Sequence, residues 1–169
     1  MTEAPPAPTL PAGIEIRGFR PGVDERATFD ASQDAFADHW GFLPMDYDDW
    51  RRRLERPDFD PSLWFLAVRG DEICGTSLCS TIPKTGWVGS LSVRRPYRRL
   101  GLARALLHRS FAVFWERGQP TVSLGVDASS LTGATRLYES VGMRVAESYD
   151  QVERELRAGV DIAVRELTD

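Results

Sequence analysis

Apolar and polar positions alternate in Ile14-Glu15-Ile16-Arg17-Gly18-Phe19, the period of two that marks a strand with one covered face. Pro21-Gly22 then turns the chain toward a helix through about Asp38, and a second helix is predicted over Asp46 to Glu55. Between them His39-Trp40-Gly41-Phe42-Leu43-Pro44 forms an aromatic-rich loop suited either to core packing or to walling a substrate pocket. Pro57 and Pro61 close this helical region, and the pattern changes to strands. The run Leu63 to Val68, the turn Arg69-Gly70-Asp71 and the run Glu72 to Ser80 predict a β-hairpin. Trp87 to Val93 supplies the next strand.

From Gly101 to Arg117 the apolar residues Leu102, Ala105, Leu106, Phe111, Val113 and Phe114 fit one face of a long helix that stops before Gly118 and Pro120. Thr121 to Val126 reads as a short strand and Thr132 to Val141 as a helix closed by Gly142. Met143 to Leu156 is expected to carry up to two final strands. The order β-α-α-β-β-β-α-β-α-β predicts an α/β (α+β) fold with helices on both faces of a mixed sheet. Residues 1–12, rich in proline and alanine, are expected to be a linker-like or disordered arm; 13–157 form one domain and 158–169 a tail.

Charge changes the picture at one place. The 169-residue chain has a net charge of -4, which argues against an overall nucleic-acid footprint, yet residues 73–115 hold seven Lys or Arg and no acid. Most of these line the turn Arg94-Arg95-Pro96-Tyr97-Arg98-Arg99-Leu100-Gly101, between a strand and a helix start. A helix N-terminus exposes unpaired N–H groups and the positive end of the helix dipole, and together with a local cationic patch it suits a phosphate or pyrophosphate. Gly101 and Ala103 leave room for that approach. Solvation of an ordinary surface loop is the competing explanation for the arginines.

The remaining chemistry is sparse. Cys74 and Cys79, five apart in one strand, point to opposite faces and are expected to be packing residues rather than a disulfide or a nucleophile. His39 and His108 are too isolated for a metal site, and no metal is expected. No stretch approaches a membrane span and no signal peptide is evident, so a cytoplasmic location without membrane association is expected. Asp46, Asp48 and Asp49 either attract a cationic amine or begin a helix in the usual way.

The segment Ser90 to Arg104 resembles the GNAT superfamily of N-acetyltransferases, whose acyl-CoA signature is Arg or Gln, two residues, Gly, one residue, then Gly or Ala. Arg98, Gly101 and Ala103 match it. A second segment, Val126 to Met143 with Leu137-Tyr138-Glu139, is similar to the family's later helix, although Ser130 stands where Asn is usual and Met143 where Phe is usual. The likeness covers roughly residues 14–156, and a further resemblance is to a domain of the mycothiol-synthase-like actinobacterial branch.

The resemblance implies a mostly antiparallel central sheet of six to seven strands. It implies acetyl-CoA as cosubstrate, with pyrophosphate contacts at Arg98, Arg99, Leu100, Gly101, Leu102, Ala103 and Arg104. Leu91, Ser92 and Val93 would meet the pantetheine arm, Ser130 would add a hydrogen bond, and the Val93 N–H would stabilise the oxyanion. Tyr138 would be the acid for the leaving thiolate. The strand Trp87 to Val93 contains no acid, so the general base lies elsewhere or is a water chain, with Asp127 a modest candidate. The expected reaction moves an acetyl group to a primary amine by direct attack; the partner is a small-molecule or peptide amine, and pairing into a homodimer is admitted. A domain that binds acyl-CoA without catalysis is the alternative. A nucleotide-binding protein is a weaker one, because the turn lacks both a P-loop Lys-Ser/Thr pair and a three-glycine fingerprint.

Overall fold

The computed structural model describes residues 1–39, 42–83, 85–127, 134–150, 152, 154 and 157. Strand β1 (Glu15–Gly18) leads into helix α1 (Glu25–Phe36) and the short helix α2 (Tyr47–Arg51), which tightens into a 3-10 turn over Arg52–Glu55. Strands β2 (Trp64–Arg69), β3 (Glu72–Ile82) and β4 (Thr85–Val93) follow, then helix α3 (Leu102–Glu116), strand β5 (Val122–Ser123) and helix α4 (Ala134–Ser140). The strands form one sheet in the order β1-β2-β3-β4-β5, antiparallel throughout except for the parallel β4–β5 pair.

Both faces of the sheet are covered, and β2 shows why it reads as a continuous apolar run. Phe65 and Ala67 pack into a cluster with Leu102, Leu106, Leu107 and Phe114 of α3, while Trp64, Leu66 and Val68 pack with Phe29 of α1 and Trp50 of α2. A strand buried on both sides has no polar face to alternate with. The α2 side is closed by aromatic rings, with Phe19, Phe59, Trp50 and Trp64 in edge-to-face or tilted contact at 5.0 to 6.4 Å. On the other side Phe114 lies against Gly86, where an added Cβ would stand 2.6 Å from the ring.

Two expectations are corrected. Five strands are found among the described residues, not six or seven: 143–150 has no regular structure, and Val145 and Tyr149 are largely exposed there. Those apolar side chains have no neighbouring strand or helix to cover them, and without a covered face the segment gains little from pairing. Most of the rest of that expected strand region lies outside the described residues. The proline-rich leader also contacts the domain: Leu10 packs against the α3-side core, and the terminal amine donates to the Pro120 carbonyl.

Candidate functional site: an open strand edge at the start of helix α3

The central strand β4 is paired along its length with β3, but β5 meets it only at Gly86 and Trp87. The Gly86 N–H donates to the Thr121 carbonyl at 2.9 Å, and beyond Trp87 the two strands part. Gly89 is the extra residue of a β-bulge, since Leu78 faces Ser90 while Cys79 faces Val88. Past the bulge, Arg94 donates to the Cys74 carbonyl at 2.9 Å. Antiparallel alternation then turns the backbone of Ser92 toward β3 and that of Leu91 and Val93 toward the open edge. The Ser92 hydroxyl is also engaged, 2.9 Å from that of Thr76. Of the three residues expected along an extended ligand, Leu91 and Val93 therefore present free-edge groups and Ser92 belongs to the sheet.

The open edge runs into a 3-10 turn at Arg95–Tyr97 and then to Arg99 and Gly101, with φ of 62° and 81°. A left-handed Gly101 directly before Leu102 lets the chain enter α3 without the steric cost a side chain would carry. The first intrahelical bond runs from Ala105 to the Gly101 carbonyl at 3.0 Å, so the N–H groups of Leu102, Ala103 and Arg104 point out of the helix start. Leu102 is buried and anchors this turn in the core, whereas Leu100 is exposed. The Arg98 N–H closes the 3-10 turn on the Arg95 carbonyl at 3.2 Å and is not offered outward.

The arginines divide into two groups that the sequence does not distinguish. Arg94 pairs with Asp34 at 2.6 Å and also with Glu72, and Arg98 forms a two-pronged pair with Asp38 at 2.6 and 2.7 Å. Hydrogen bonding from Arg98 holds the Asp38 carboxyl below its ordinary value and Asp38 raises Arg98 in return. Arg99, exposed, makes no hydrogen bond or ion pair among the described residues, and Arg104 reaches the Ser140 hydroxyl on α4 at 3.2 Å. Much of the positive charge counted along the turn is therefore neutralised by α1. The partners Asp34 and Asp38 were missed from sequence; their spacing of four, matching Arg94 and Arg98, is the only signal that pointed to them. Glu72 was missed too, and it accepts a hydrogen bond from the buried Tyr97 hydroxyl at 2.6 Å.

Helix α4 places Tyr138 against the same core cluster as Leu91 and Val93. The N–H groups of Val141 and Met143 donate to its carbonyl at 3.2 and 3.0 Å, which ends the helix at Gly142. Its half-buried hydroxyl has no hydrogen-bond partner among the described residues, and burial pushes the phenol above its usual range. Such a group stays protonated and available as a donor. Ser130 lies outside the described residues, as do Trp40 and Gly41 of the aromatic loop; Asp127 is exposed. Asp46 accepts from the Asp48 N–H at 2.8 Å, an ordinary cap of α2, and Asp49 pairs with Arg52. Cys74 and Cys79 are buried with thiols pushed up by desolvation, which disfavours a nucleophilic thiolate.

A separate cleft of about 380 Å³ lies along α1, lined by Asp30, Asp34, Asp71, Glu72 and Arg94. Its four carboxylates against one arginine repel a phosphate-bearing ligand, so the anion-compatible surface is the α3 start and not this cleft.

Comparison with known proteins agrees with this geometry. Residues 26–143 match the model of the acetyltransferase (GNAT) family. A mycothiol acetyltransferase of Thermobispora bispora is 37% identical over 149 residues, which cover 84% of this chain and 50% of that protein. The chain spans about half the length of the curated relatives it matches. The crystal structure of a GCN5-related N-acetyltransferase from Sphaerobacter thermophilus superposes with a TM-score of 0.76 at 44% identity, covering 85% of this chain and 45% of that one. The ribosomal-protein-S18-alanine N-acetyltransferase of Escherichia coli shares the fold at 23% identity and a TM-score of 0.63, covering 76% of each chain. A mixed sheet whose β4 edge opens beside the start of α3, and a family match across more than two thirds of the sequence, lead to one conclusion: this chain belongs to the acetyltransferase (GNAT) family.

Proposed function

We propose that the domain transfers an acetyl group from acetyl-CoA to a primary amine in a ternary complex. The observation that carries this reading is the unpaired β4 edge at Leu91 and Val93 leading directly to the outward N–H groups of Leu102, Ala103 and Arg104. An extended arm bearing amides adds to a strand edge as another strand does, and a pyrophosphate at its end reaches the α3 start. Arg99, Leu100 and Gly101 border that position, and Arg99 supplies an unneutralised charge. Ser130 is kept as a contact of the pantetheine arm on the strength of its place in the family's segment.

The chemistry requires a neutral amine to attack the thioester carbonyl carbon, breaking the C–S bond. The carbonyl oxygen becomes negatively charged during attack, and the Val93 N–H on the open edge is the donor assigned to it. The departing sulfur takes a proton from the Tyr138 hydroxyl, and the amine nitrogen releases one to water. A phenol with a raised pKa suits that donation, since it remains protonated across neutral pH. The name of the curated relatives supports testing mycothiol-related amines first as acceptors.

Isothermal titration with acetyl-CoA and thiol release against an amine panel test the proposal together. Saturable binding with amine-dependent release supports it. Binding without release by any amine replaces it with the non-catalytic acyl-CoA-binding reading, and no binding at low salt overturns both.

A further inference from the structure

Arg98 occupies the first position of the signature, yet its side chain is already committed inside the protein. Nη1 and Nη2 hold the two carboxylate oxygens of Asp38, Nη2 also donates to the Ala35 carbonyl at 2.9 Å, and Nε donates to the Val93 carbonyl at 3.2 Å. Four of the five N–H donors of a guanidinium are thereby directed at protein atoms. A phosphate would have to displace a carboxylate that is itself mostly shielded, with 18% of its side-chain surface exposed.

One side chain thus joins three places: the last residue of β4, the C-terminal turn of α1, and the turn that presents the α3 start. Asp38 is followed at once by His39, where the aromatic loop begins, and the Phe36 and His39 rings stand edge to face at 5.6 Å. One turn back, Arg94 and Asp34 repeat the pairing. The conformation of the CoA-side turn, with Arg99 and Gly101 both left-handed, is therefore braced against the helix that leads into the acceptor-side loop.

We propose that Arg98 is a positioning residue whose pair with Asp38 couples the acetyl-CoA turn to the loop beginning at His39, so that binding of the donor and ordering of that loop are linked. The proposal rests on the acetyltransferase reading and adds a role for Asp38, which lies outside the signature. It opposes the simpler assignment in which the Arg98 charge meets the phosphates.

The test uses the full chain with acetyl-CoA as the probe, in Asp38→Asn, Arg98→Gln, Arg98→Lys and the Asp38→Asn/Arg98→Gln double variant, each checked by circular dichroism melting. Arg98→Gln keeps the signature while removing the pair. Arg98→Lys keeps the charge without the two-pronged fork. Each single change is expected to weaken acetyl-CoA binding by about five- to tenfold, with the double variant within about twofold of either single one. Hydrogen exchange gives a readout that simple loss of stability would not imitate: acetyl-CoA slows exchange in the peptide 35–45 of the wild type, and at saturating ligand it does not in Asp38→Asn. Near wild-type binding by Arg98→Lys or Asp38→Asn, multiplying losses in the double variant, or undiminished protection in Asp38→Asn overturns the proposal. If Asp38→Asn does not fold, Arg98→Lys decides alone. A wild type that binds acetyl-CoA but shows no protection in 35–45 overturns the coupling and leaves the acetyltransferase reading standing. A wild type that binds no acetyl-CoA removes both.

Discussion

The two faces of the sheet are built from different materials. On the α1 and α2 side, Phe19, Phe29, Trp50 and Trp64 are nearly fully buried and their rings interlock, with Tyr47 and Phe59 closing the rim. On the α3 and α4 side the centre is equally dry, with Leu102, Leu106 and Phe114 essentially inaccessible, but its border is only half-covered: Leu91, Val93, Val122, Leu124, Leu137, Tyr138 and Met143 all pack against the core without being buried by it. The half-covered border is where β4 and β5 part. Close packing on one face supplies stability, and a face left incomplete supplies a place for a ligand arm.

The sharpest test of that contrast is Trp50→Ala, which removes a ring 3% exposed in contact with Phe29, Tyr47 and Trp64. It is expected to cost about 3–5 kcal/mol in urea unfolding while leaving acetyl-CoA affinity within about twofold under folding conditions. A matching loss of affinity would show that the faces are not separable. Tyr138→Phe is the converse: it should lower kcat about 100-fold, equivalent to about 2.7 kcal/mol, with little change in melting temperature or acetyl-CoA affinity. Unaltered turnover would remove the acid assignment. Because burial raises the Tyr138 pKa, the alkaline decline in kcat that it controls should lie above the range of an exposed phenol.

Gly86→Ala forces a methyl group toward the Phe114 ring and is expected to destabilise by about 1–3 kcal/mol in the same unfolding assay, since neither β4 nor α3 has slack there. Gly101→Ala meets no neighbouring atom but must adopt a φ of 81°, so a loss of about 1 kcal/mol is expected, together with a smaller acetyl-CoA-induced thermal shift. The smallest effect concerns pH. Burial opposes ionisation of Asp24, but hydrogen bonds from Arg17 and Arg20 outweigh it and hold its carboxyl well below the usual range; Asp38 is held low by Arg98. Their pairs therefore contribute fully at neutral pH. That contribution declines as pH falls below about 3.9, the unfolded aspartate value, toward the depressed folded values. Asp24→Asn should flatten the dependence of stability on pH in that window.

Much of the scaffold was legible because it follows from local pattern. The alternation before Gly18, the hairpin around Gly70 and the apolar face of α3 each reflect a periodicity that burial of one side imposes on a few neighbouring residues. The Arg98, Gly101 and Ala103 spacing located the α3 start for the same reason, since a left-handed residue before a helix is a local requirement. The segment after Gly142 was not legible in this way: Val145 and Tyr149 suggest a strand, but a strand exists only where an edge and a cover meet it.

The amino-acid order alone therefore determined the elements, their sequence along the chain and the turn at which an anion fits. Only the tertiary structure decided which backbone groups face the open β4 edge, and which arginines keep their charge. The first depends on the register of β4 against β3 and on where β5 stops pairing. The second depends on Asp34 and Asp38 arriving from 60 residues away. Charge neutralisation is a contact between distant parts of the chain, and no local spacing encodes it.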